Sequence, residues 1–400
     1  MATALFMTSC SNEDSLSGSH VRDMNSDVPI TLDLNHVSTA TRAELGNRVN
    51  DKPDGTFDTD GGKIGMFCLA SSKIFGEEEI SWERDHDNPN FRWFENVQAD
   101  AKTTGTVEAN DRKTHLQWFN GKKYYYPMGS QYAYTFYGYY PYSENVNHNG
   151  NVYTVDVDGL DGTVDLIWGK SIVSNEDPQK QYAWSAKYFR EKKTAMGAEY
   201  DYDKVLPNVQ FVHKLMKFNI VLKKGSSAAD DATVGEMAIK SAKLLNAATR
   251  GVLTIASLDN PEDNGKFDVD WTSAYNDTLT LKNADDTDLS LKYLENNDTV
   301  KVGGFLIPVL KKQDNGLYPD NGYRENYMQN KGVFRLRVDF VKKSDSPEVI
   351  YKSAQYELVP PADGWKEGYE YDVVISVSSP LDIKADASLV PWVKGRIELE

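Results

Sequence analysis

The chain has 400 residues, with 60 acidic side chains against 44 basic ones and a formal net charge of −16. That balance disfavours nucleic acid and anionic membrane surfaces as partners and suits a solvated surface. Hydrophobic residues make up 40% and aromatic residues 12%, too much apolar material for a disordered chain, and no apolar run reaches the roughly 18 residues a membrane-spanning helix needs.

Taken in order, the chain opens with Ala4-Leu5-Phe6-Met7-Thr8-Ser9-Cys10, where small residues precede a cysteine. This looks like the last part of a bacterial lipoprotein signal, whose basic and apolar parts are expected upstream of Met1. Cys10 is then the lipidated residue, and the acidic, Ser-rich stretch from Ser11 to Asp27 is a tether. Next comes Val28-Pro29-Ile30-Thr31-Leu32-Asp33-Leu34-Asn35. Val28, Ile30, Leu32 and Leu34 share one parity, the period-two signature of a strand with one buried face. Pro29 points to an edge position. Thr41-Arg42 and Asn47-Arg48 follow, in a polar segment up to Gly62 that a protease could reach. The strand reads either as an ordinary first strand or as one built to be removed after cleavage at Arg42, with Arg48 as the alternative.

Ile64 to Ser71 predicts a central strand in which Cys68 is a buried core thiol. Gly76 to Arg112 reads as loop, with Trp82, Trp93 and Phe94 packing at its margin. A tyrosine block runs from Tyr124 to Tyr142. Tyr132, Tyr134 and Phe136 lie on one strand face, where rings can cover a core; a row of exposed rings would instead stack on sugars. Asp165 to Lys170 is another strand. Val209 to Leu222 carries the longest strand signal, and its change of parity near Met216 predicts a bulge. His213 within it has no neighbour to make a catalytic pair and reads as a hydrogen-bonded core histidine.

The Gly/Ser/Ala/Asp-rich stretch from Lys223 to Val234 is the best linker, so the chain divides into a tether at 1–27, a first body at 28–228 whose removable strand spans 28–48, and a second body at 229–400. The second half repeats the grammar at 238–245, 251–256, 278–282, 300–308, 333–341 and 355–359. Short strands between Asn/Asp/Gly turns argue for β-sandwiches. Near the end, Leu381, Ile383, Ala385, Ala387 and Leu389 alternate as cleanly as the first strand does.

Motifs for chemistry are missing from the sequence. Asp156, Asp158, Gly159 and Asp165 match part of a calcium loop, but Thr154 holds its first position. Gly169-Lys170-Ser171 ends like a phosphate-binding loop, yet Val164 stands where its first glycine belongs. With no catalytic signature and no tight Cys/His cluster, the expectation is no enzyme, no metal and no cofactor.

Several motifs in order resemble the fimbrillin family of Bacteroidetes, the subunits of type V pili. They are the end at Cys10, Thr41-Arg42, Tyr139-Tyr140-Pro141-Tyr142, Phe211-Val212-His213-Lys214-Leu215, Gly368-Tyr369-Glu370-Tyr371 and Pro391-Trp392. The resemblance implies an all-β chain of two tandem Greek-key, transthyretin-like β-sandwich domains. It also implies export as an outer-membrane lipoprotein, with palmitate among its acyl chains. An arginine-specific protease would remove the first strand, and strand exchange with other pilus subunits would build a fimbrium that meets a host or bacterial surface. The 381–389 segment is the candidate donor strand, unless it closes the sheet of its own chain. The competing reading is a monomeric surface lipoprotein that binds glycans through the tyrosine block.

Overall fold

Alternating stretches become strands, and continuous apolar stretches become strands covered on both faces. The computed structural model describes residues 28–36, 50–51, 57–58, 63–74, 79–105, 113–127, 130–201, 205–225, 231–270, 278–281, 289–295, 298–309, 311, 332–345, 349–378 and 383–390. Cys10, Arg42, Arg48 and Leu381 lie outside these residues.

The first half contains β1 (Asp33–His36), β2 (Asn50–Asp51), β3 (Phe57–Asp58), β4 (Ile64–Lys73), β5 (Arg92–Thr104), β6 (Lys113–Trp118), β7 (Tyr132–Tyr140), β8 (Val146–Asn149), β9 (Val152–Val157), β10 (Ile167–Ile172) and β11 (Asn208–His213). The second contains β12 (Leu215–Lys224), β13 (Met237–Leu245), β14 (Gly251–Ser257), β15 (Phe267–Val269), β16 (Thr278–Thr280), β17 (Thr299–Pro308), β18 (Phe334–Lys342), β19 (Lys352–Leu358), β20 (Glu370–Val377) and β21 (Ile383–Val390). Three helices punctuate them: α1 (Trp82–Asp85), α2 (Ala186–Met196) and α3 (Asp231–Gly235).

Seven strands close into a barrel in the order β1-β11-β10-β7-β4-β5-β6, the last returning to β1. Alternate residues of β4 point inward (Ile64, Met66, Cys68, Ala70), while Phe67 and Leu69 point out into a second apolar layer. β7 repeats this with Tyr132, Tyr134 and Phe136 inside and Tyr137 and Tyr139 outside. The tight spacing explains Gly138: a Cβ there would lie 2.7 Å from the Phe211 ring and 2.8 Å from the Met66 sulfur.

The outer layer is capped by a four-stranded sheet in the order β15-β14-β9-β8. Tyr153, Val155, Leu253, Ile255 and Phe267 pack there against Phe67, Tyr139 and Trp168, and the Trp168 indole donates to the Ile255 carbonyl at 2.9 Å. β14 and β15 come from beyond the expected linker and fold back onto the first half.

The rest of the second half is a sandwich of the sheets β17-β12-β20-β21 and β16-β13-β18-β19. Its core includes Phe218, Ile220, Leu244, Val338, Phe340 and Val373. Phe218, Trp365 and Tyr371 form an edge-to-face cluster, with centroid separations of 5.2 Å for Phe218–Trp365 and 4.9 Å for Trp365–Tyr371.

Three expectations change. The 209–222 signal is two strands: pairing passes from β11 in the barrel to β12 in the sandwich at Lys214, so the parity switch marks a change of sheet rather than a bulge. Sheet membership therefore changes at Lys214. The segment read as loop holds the 13-residue β5, and Trp93 and Phe94 belong to the barrel core rather than to its margin.

Candidate assembly site at the barrel seam

The side chains of Val28, Ile30, Leu32 and Leu34 are all buried in the barrel core, none more than 7% exposed, while Thr31 and Asp33 are half-buried. The alternation read from the sequence is the alternation observed. The edge position is not: β1 pairs parallel with β11 (Asp33↔Asn208 to His36↔Phe211) and antiparallel with β6 (Asp33↔His115, Leu34↔Thr114). Pro29 is compatible with this because it precedes the ladder, at an isolated bridge to Tyr125.

Several hydrogen bonds outside the ladder hold the segment. Ile30 N donates to the Tyr124 carbonyl at 2.7 Å, Tyr126 N to the Val28 carbonyl at 3.0 Å, and Leu116 N to the Leu32 carbonyl at 3.0 Å. The Trp118 indole donates to the Ile30 carbonyl at 3.0 Å, and Asp33 N donates to the Pro207 carbonyl at 3.0 Å. His115 Nδ1 lies 2.7 Å from Asp33 Oδ1, a partly exposed pair that contributes at most about 1 kcal/mol. Aromatic rings fill the same core: Trp118 and Tyr124 lie 4.7 Å apart between centroids, Phe94 and Trp118 5.3 Å, and Tyr126 and Phe189 5.1 Å. Phe189 comes from α2, which is capped at Ser185 by a bond from Tyr188 N. The segment is thus a rod of four apolar side chains inserted in an aromatic-lined slot.

Of the candidate donor at 381–389, residues 383–389 lie in β21, which pairs with β20 over eight antiparallel pairs from Val377↔Ile383 to Glu370↔Val390. It is the end strand of its sheet. The backbones of Ile383, Ala385, Ala387 and Leu389 are paired with β20 of the same chain.

The tyrosine block is not a platform. Tyr132, Tyr134, Tyr139 and Tyr140 are buried. The Tyr134 hydroxyl donates to the Asn90 carbonyl at 2.9 Å and the Tyr139 hydroxyl to Asn96 Oδ1 at 2.8 Å. Burial pushes the Tyr137 phenol up to about 12. No row of rings in this block faces solvent for a sugar to stack on.

His213 does have a carboxylate beside it. Its Nδ1 lies 2.5 Å from Asp165 Oδ2, and both side chains are sealed from solvent. The partner stands 48 positions away in sequence, which is why local reading missed it. Sealed in this way, the pair ties the entry of β10 to the end of β11 and offers no reactant access. Cys68 is buried and free, and burial pushes its thiol up. Among the described residues no cluster of three or more His, Cys, Asp or Glu could hold a metal ion.

A closed all-β barrel joined to a β-sandwich, with one strand slotted into the barrel seam, defines a strand-built module. The chain belongs to the fimbrillin-like family, whose model matches residues 41–392. No curated protein matches it. Among solved structures it is similar to a Bacteroides uniformis protein described as a cell adhesion protein, at 16% identity over 91% of this chain and 98% of the other, with a TM-score of 0.43. It is also similar to the tip fimbrial protein Mfa3 of Porphyromonas gingivalis, at 10% identity over 91% and 99%, TM-score 0.36. The fimbrial anchor protein Mfa2 of the same organism is similar at 9% identity over 91% and 99%, TM-score 0.28.

Proposed function

We propose that this chain is a fimbrial subunit that polymerises by strand replacement. The observation that carries the reading is the burial of Val28, Ile30, Leu32 and Leu34 in the barrel core by a segment with so short a ladder. Cleavage after Arg42, or after Arg48, by an arginine-specific protease frees this segment. Each apolar side chain withdrawn costs roughly 1.5–3 kcal/mol, and the β6 and β11 edges are left unpaired. A strand of matching period from another subunit repairs both losses. Residues 381–389 are the candidate donor, and donation requires their release from β20. Before processing, the chain is held at the outer membrane through acyl chains on Cys10, palmitate among them. The finished fimbrium displays it at the cell surface, where a host or bacterial ligand is its adhesive partner.

The test compares the wild type with an Arg42→Ala/Arg48→Ala variant and with a chain ended after Ser379. Protease treatment is expected to give SDS-resistant ladders from the wild type alone. Ladders from the double arginine variant reject the cleavage sites, and ladders from the shortened chain reject the donor. Palmitate labelling that persists in Cys10→Ala, with a complete leader, rejects the lipid anchor.

A further inference from the structure

Six large apolar side chains are exposed among the described residues, and four of them, Val349, Ile350, Tyr351 and Val359, bracket the single strand β19. β19 ends its sheet and, among the described residues, pairs only with β18. Its burial alternates: Ala354 and Tyr356 pack against the sandwich core, while Ser353, Gln355 and Glu357 face out. An edge of this kind presents a row of backbone donors and acceptors ready for another strand.

We propose that this edge docks a second copy of the same chain, the two β19 strands pairing antiparallel about a two-fold axis at Ala354. The sequence around Ala354 favours a copy over an unrelated peptide, because residues equidistant from it complement one another. Val349 meets Val359, Ile350 meets Leu358, Tyr351 meets Glu357, Lys352 meets Tyr356 and Ser353 meets Gln355, each pair occurring twice, as an isologous interface requires. A two-fold axis normal to the sheet also matches parity, so outward residues meet outward ones and core-facing residues meet core-facing ones. The result is one continuous sheet of eight strands, four from each copy.

Charge supports the same occupant. Lys352 and Glu357 are the charged residues between 349 and 359 and cancel one another, so this edge is neutral on a chain of net charge −16. No like charges oppose each other in the register centred on Ala354. Moving the centre to Ser353 sets Val349 against Glu357 and removes the Val349–Val359 contact. Burial leaves the Tyr356 hydroxyl without a hydrogen-bond partner, and the centred register brings the other copy's Lys352 beside it. One strand pair is a small contact, so it is weak between free subunits and gains strength when copies are arrayed. The contact does not depend on strand replacement at the barrel seam.

The register is read by disulfide trapping in a Cys10→Ser background. Ser353→Cys and Gln355→Cys chains are oxidised separately and as a mixture. The expected result is a dimer on a non-reducing gel, several-fold more abundant from the mixture than from either chain alone. A yield from either separate chain equal to that from the mixture overturns the register. Sedimentation equilibrium then compares the unaltered chain with Val359→Asp, expected to weaken association roughly tenfold without moving the thermal midpoint, and with Val349→Lys/Val359→Asp, expected to restore it. An unaltered chain that shows no concentration-dependent dimer, or a Val359→Asp chain that associates as well as the unaltered one, overturns the proposal.

Discussion

β1 and β21 are the first and last described strands of the chain, and their backbones are paired differently. β1 pairs over four residues with β11 and over two with β6, yet it belongs to a segment that drives four apolar side chains into a closed barrel. β21 pairs over eight residues and, among the described residues, with one neighbour, at the end of an open sheet. Side-chain burial and backbone pairing are separable sources of hold. A strand held by burial leaves a specific cavity when it goes.

The sharpest way to break this contrast is to shorten a side chain of the slotted segment. Leu32 is fully buried, so Leu32→Ala is expected to cost about 2–5 kcal/mol in urea unfolding. A loss below 1 kcal/mol would place the hold of the seam in its hydrogen bonds instead. Trp118→Phe tests that other term. It removes the indole donor to the Ile30 carbonyl while keeping an aromatic ring in the cluster, and about 1 kcal/mol is expected by the same measurement.

Acid supplies the smallest and most graded test, because each body has a carboxylate that titrates low. Burial raises the Asp85 pKa, but the Ser81 amide, Arg84 and Lys73 outweigh it and hold it below its ordinary 3.8. Burial likewise raises Asp339, and Ser353, Ser241 and Arg337 bring it below the same value. A carboxyl lowered by folding contributes stability above its unfolded pKa, and that contribution is lost as pH falls through the folded value. Both bodies should therefore weaken only below about pH 4. Asp85→Asn should flatten the acid limb for the barrel and Asp339→Asn that for the sandwich. The readout is amide exchange protection in β4 and β7 against that in β13 and β18.

Much of this contrast was legible in the sequence. The period-two run at Val28–Leu34 announced its buried face because one residue in two had to be apolar. The strands of the second half lay where their alternation and turns put them. What local reading could not supply was the far partner. Pro29 suggested an edge only because nothing in the sequence says that the ladder begins four residues later. The 209–222 run looked like one strand because the turn at Lys214 needs no glycine or proline to change sheets. The polar content of β5 hid a strand whose buried positions are set by β4 and β6 rather than by its own composition. α2 did carry a signal, with Ser185 as its N-cap and Gly197 at its end, φ 56°. Cys10, Arg42 and Arg48 lie outside the described residues.

The return of β14 and β15 to the barrel makes the two halves a clasp rather than two beads on a string. The chain passes from barrel to sandwich at Lys214, comes back to lay β14 along β9, and leaves again to pair β16 with β13. A single cut within 226–230 leaves β14 in register with β9 and β12 in register with β20, so the pieces stay interlocked. Parting the two halves therefore means breaking the β9–β14 ladder as well as cutting the chain.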